Sequence, residues 1–76
     1  MNEIELMRDF GDNLKMELKE NGITAGRLSY ETGISESAIY YYIRGERMPS
    51  VLNVIKIMQA LDCEFEDLFD ISEPLI

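Results

Sequence analysis

Histidine is absent from this 76-residue chain, and cysteine occurs once, at Cys63. No apolar run approaches the roughly 18 residues that span a bilayer. Each shortage excludes something. Without histidine the chain lacks the commonest general base and the commonest metal ligand. A single cysteine cannot form an intrachain disulfide framework, and with no clustered partner it reads as buried or half-buried filler rather than a nucleophile. The amino terminus, "MNEIELMRDF", lacks the basic-then-apolar order of a secretory signal, so a cytoplasmic chain is the default. No catalytic residue, cofactor or metal site suggests itself.

Basic residues are also scarce. Seven Lys and Arg stand against fifteen Asp and Glu, giving a net charge of −8. Taken as a total, that argues against nucleic acid, whose phosphates draw Lys and Arg. The charge is unevenly placed, however. Residues 1–23 carry three basic and six acidic side chains, and residues 51–76 set Lys56 against six acids. Between them, Arg27, Arg44 and Arg47 balance Glu31, Glu36 and Glu46. The middle third is the least acidic.

What is present is a succession of short amphipathic segments. Met7, Phe10, Leu14 and Leu18 recur at helical steps, predicting a helix from about Glu3 to Glu20 that stops at Gly22. Thr24 reads as the cap of a second helix ending at Gly33, and Ser35 as the cap of a third. The run "AIYYYI" within "SESAIYYYIRGERMPS" has high β-propensity. As a strand it would need cover on both faces, and no second convincing strand exists to supply it. A helical turn of about 100° per residue instead puts Ala38, Ile39, Tyr42 and Ile43 on one side, and Glu36, Ser37, Tyr40, Tyr41 and Arg44 on the other. Gly45 and Pro49 end that helix. Ser50 caps a fourth, for which Val51, Val54, Ile55, Met58 and Leu61 are the expected core face. A short fifth is expected to turn Phe65, Leu68 and Phe69 inward. The acids Glu64, Glu66, Asp67 and Asp70 read as its solvated, dipole-favoured start, without calcium-loop spacing. The fold class is therefore all-α, a compact five-helix bundle over residues 1–70, with a tail at 71–76 that frays or packs on a partner.

Only "GIS" separates the second and third helices. So short a turn forces a steep crossing with a small residue at the contact, here Ser29, and Ile34 and Ile39 fill the angle. The stretch "GITAGRLSYETGISESAIYYYIRGERMPSVLNVIKIMQALDCEFEDLF" resembles the lambda-repressor-like (Cro/Xre) helix-turn-helix DNA-binding family. Leu28, Gly33, Ile34, Ser35, Ile39, Gly45, Pro49, Leu61 and Leu68 follow its order in register, with the helix-turn-helix at approximately 24–44. The resemblance implies a transcriptional regulator that binds double-stranded DNA, its third helix (35–44) in the major groove, as a homodimer on two half-sites. By the same resemblance, Glu36, Ser37, Tyr40 and Tyr41 occupy base-reading positions. Thr24, Arg27, Ser35, Arg44 and Arg47 are placed for phosphates. Roughly three cationic contacts per protomer imply a salt slope of about −3.

The chain departs from the family pattern in places. Ala25 stands where the family often has Gln, and Gly26 where a charged residue is usual. Leu18 and Ile43 replace an Arg–Glu pair, a swap that is commonly neutral or stabilising. The acidic charge, Ala25 and Glu36 support a rival reading, a protein-binding module on the same fold, anti-repressor or antitoxin-like. Arg27, Arg44 and Arg47 on one edge, with the acidic ends facing away, would favour DNA, and carboxylates ringing Tyr40 and Tyr41 would favour the module. Phe69, Ile71, Leu75 and Ile76 are candidate dimer contacts.

Overall fold

Side-chain caps and glycine stops divide the chain into five helices. In the computed structural model, which describes residues 1–76, these are α1 (Glu3–Asn21), α2 (Ala25–Thr32), α3 (Glu36–Ile43), α4 (Val51–Leu61) and α5 (Phe65–Leu68), with no strand. Thr24, Ser35 and Ser50 each accept a hydrogen bond from the backbone N–H three residues on, at 3.1 Å. Each such cap stabilises by about 1 kcal/mol. Ahead of α5, the Glu64 N–H donates to the Asp67 carboxylate at 2.8 Å, so that acidic residue caps the helix. Gly33 closes α2 at φ +75°, a left-handed conformation that lets the chain reverse within three residues. The Ser29 hydroxyl, at the crossing of α2 and α3, donates to the Ile34 carbonyl at 2.6 Å.

The helices enclose one core. Phe10, Leu14 and Leu18 from α1 meet Leu28, Ile39 and Tyr42 on one side, and Val54, Ile57, Leu61, Leu68 and Phe69 on the other. Every buried side-chain polar atom has a partner. Tyr42, expected in the core, is buried, and its hydroxyl accepts from Asn53 Nδ2 at 3.0 Å, joining α3 to α4. Aromatic rings form a continuous column through the core. Tyr42 meets Phe10 edge-on at 5.8 Å, Phe10 stacks on Phe69 at 4.7 Å, and Phe69 stacks on Phe65 at 4.9 Å.

Gly11 sets how closely α1 approaches the end of α3. A Cβ there would lie 2.4 Å from the Tyr42 carbonyl oxygen and 2.8 Å from that of Ile43. Both are backbone atoms with little room to yield, so only glycine permits this contact.

Three expectations are corrected. The buried face of α4 is Val54, Ile57 and Leu61, while Val51 and Ile55 are exposed. Phe65 is partly exposed rather than turned inward, and Phe69 is only 6% exposed between Phe10 and Phe65, so it cannot serve as a dimer contact. The exposed tail, residues 71–76, returns to the amino terminus, where the Ile76 N–H donates to the Met1 carbonyl at 2.9 Å and the Met1 amine donates to the Pro74 carbonyl at 3.2 Å. No helix is long and apolar enough to cross a membrane.

Candidate nucleic-acid interface

The outward side of α3 follows from its core side. With Ile39 and Tyr42 buried, the helical period turns Glu36, Ser37, Tyr40, Tyr41 and Arg44 to solvent, as expected. Tyr40 is 45% exposed and Tyr41 37% exposed. The two ends of this face differ. At the carboxy-terminal end, the guanidinium carbons of Arg47 and Arg44 lie 4.5 and 5.0 Å from the centroid of the Tyr41 ring. Both are within the range at which a cation is attracted to an aromatic face. Arg44 Nε also donates to Glu46 at 3.0 Å. At the amino-terminal end, the Glu36 carboxylate bends toward α2, and its oxygens lie 3.7 Å from where a Cβ on Gly26 would stand.

Arg44 and Arg47 are thus brought together, and Arg27 is not part of that group. It lies on α2, where its Nε donates to Glu31 one turn away at 2.7 Å. Thr24 and Ser35 are exposed at the starts of α2 and α3, each already accepting its cap hydrogen bond. One basic residue at this edge escaped the sequence reading. Arg8 of α1 packs over Gly45 and lines a cleft of about 250 Å³ with Asp12, Ile43, Arg44 and Gly45. Only the Gly11 approach, which seats α1 against the end of α3, brings it there.

The remaining polar cluster lies elsewhere. Half-buried Cys63 presents its Sγ within 4.8 Å of carboxylate oxygens of Glu17 and Asp67. Burial, then the charges of Glu17 and Asp67, push the thiol up to about 11, so it stays protonated at neutral pH and is a poor nucleophile. Burial, with Asp67 and Glu20, likewise raises Glu17.

Two short helices at a tight turn, the second presenting a polar and aromatic face, define a helix-turn-helix domain. A family profile described as Helix-turn-helix (HTH_3) matches residues 14–68, and the chain belongs to that family. Membership makes it a DNA-binding transcriptional regulator rather than an enzyme. Among solved structures, the restriction-modification controller protein C.AhdI from Aeromonas hydrophila superposes with a TM-score of 0.78 at 30% identity, over 83% of this chain and 96% of that one. An HTH_3 family transcriptional regulator from Vibrio cholerae superposes with a TM-score of 0.80 at 23% identity. That match covers 86% of this chain and 36% of the Vibrio chain, and shows the shared fold alone. No curated protein sequence matches the chain.

Proposed function

We propose that the protein reads operator DNA in the cytoplasm as a homodimer, with α3 of each protomer in the major groove of one half-site. Glu36, Ser37, Tyr40 and the rim of Tyr41 face base edges. Glu accepts from cytosine N4, Ser bonds several edges, and a tyrosine ring packs on a thymine methyl. Arg44, Arg47 and Arg27 face phosphates, assisted by the starts of α2 and α3 at Thr24 and Ser35. The observation that carries this reading is the clustering of Arg44 and Arg47 on Tyr41, because the protein-binding alternative called for carboxylates around that ring. That alternative keeps the acidic charge, Ala25 and the Glu36 carboxylate beside the first turn of α2 in its support. The dimer rests on α4 and α5. Val51 and Leu52 are 77% and 61% exposed, beside exposed Ile55 and Phe65, an apolar patch of the kind that marks an interaction surface.

Selection from a randomised duplex library at low and moderate salt tests the reading. A dimer with about three cationic contacts per protomer should show a slope of log K against log salt of about −5. Arg44→Ala with Arg47→Ala should bring it to about −2. Sedimentation should show that Leu52→Asp with Ile55→Asp leaves a folded monomer. Enrichment of no sequence, together with binding insensitive to salt, would rule out an operator-reading role.

A further inference from the structure

The Tyr41 ring bears an arrangement that base reading does not explain. Two side chains of like charge converge on it, although in open solvent they would separate. The ring's negative face offsets their repulsion, and each guanidinium lies within about 6 Å of the centroid, where the attraction is appreciable. Arg44 is further fixed through Nε by Glu46, which leaves its terminal nitrogens, with four N–H donors, unengaged by that bond. A free arginine side chain carries much rotamer entropy, which binding would otherwise have to overcome. Arginines already held in place lose less of it. A ring engaged by two guanidinium groups is also poorly placed to lie flat against a thymine methyl.

We propose that Tyr41 is a positioning residue, whose ring holds Arg44 and Arg47 as a preorganised pair for adjacent phosphates of the DNA backbone. The inference rests on the DNA reading above. It moves base discrimination toward Glu36, Ser37 and Tyr40, and it assigns Tyr41 to affinity.

The test is a mutant cycle read on a panel of duplexes, paired with NMR of the protein free of DNA. In the free protein, the Arg44 and Arg47 Hδ resonances should carry upfield ring-current shifts that persist in Tyr41→Phe and vanish in Tyr41→Leu. On DNA, Tyr41→Leu should weaken binding about tenfold, and equally across sequences. Tyr41→Phe, which keeps the ring, should recover most of the affinity that Tyr41→Leu loses. In the Arg44→Ala, Arg47→Ala background, Tyr41→Leu should cost less than about twofold, because the groups it positions are gone. An equal penalty in both backgrounds, or a loss confined to one base pair, would overturn the positioning role. So would absence of the ring-current shifts in a protein that binds its duplex. A protein that keeps the shifts but selects no duplex would instead sink the DNA reading, and the phosphate role with it.

Discussion

The amino-terminal end of α3 carries an acid, and the carboxy-terminal end carries two cations. Both placements agree with the helix dipole, which favours negative charge at its start and positive charge at its end. Glu36 lies in the first turn and leans toward the first turn of α2, so two helix starts favour its carboxylate. Arg44 caps the other end, with Arg47 beside it on Tyr41. Glu36 is therefore explained by local electrostatics before any partner is invoked. An acid in a presumed reading helix is not by itself evidence against DNA. The same comparison gives the interface a polarity. On the proposed DNA reading, phosphates are drawn most strongly to the carboxy-terminal end of α3, while at the other end the Glu36 carboxylate weakens the pull of the helix starts at Thr24 and Ser35.

The largest way to break this contrast is to unseat the basic end. Gly11→Ala drives a Cβ into the backbone carbonyls of Tyr42 and Ile43. Chemical denaturation should show a loss of about 3 kcal/mol despite alanine's better helix propensity. A stability equal to the parent's would mean that α1 and α3 are less tightly seated than described.

Neutralising the acidic end should have a smaller effect of opposite sign. Glu36→Gln removes one like charge near the phosphate path. Binding to a non-cognate duplex at low salt should strengthen by about 1 kcal/mol, or roughly fivefold. An unchanged non-cognate affinity would show that the carboxylate does not face the DNA. The least change is expected from Gly26→Ala. The added Cβ meets the Glu36 oxygens at 3.7 Å, an ordinary contact. Thermal unfolding should report a gain of about 0.5–1 kcal/mol from helix propensity. A loss would show that Glu36 needs closer access to α2 than this geometry implies.

Much of the scaffold was legible because its signals are local. Thr24, Ser35 and Ser50 cap as read, and Gly33 and Ser29 define the tight turn. The α4 face was misread for a physical reason. Its apolar residues extend nearly all the way round, from Val51 and Leu52 through Ile55 and Ile57 to Leu61, so periodicity cannot choose a core side. Packing against α2 and α1 makes the choice. Gly11 was invisible for the opposite reason, since a lone helical glycine reads as a weakness until its neighbour is known. Arg8 and the Tyr41 cluster likewise depend on residues distant in sequence or on a turn meeting a helix. The candidate reading residues could be named from spacing alone, but the bending of Glu36 toward Gly26 could not.

The aromatic column gives the proposed dimer a further property. It runs from Tyr42, on the reading helix, through Phe10 and Phe69 to Phe65, at the edge of the exposed α4–α5 patch. Close-packed rings do not stretch, so two protomers joined at that patch, as proposed, would hold their α3 helices in a fixed rotational phase. Inserting one base pair between half-sites turns one of them by about 35° around the DNA axis. A dimer with this core would have to bend the DNA or release one half-site, which makes the column a ruler for operator length.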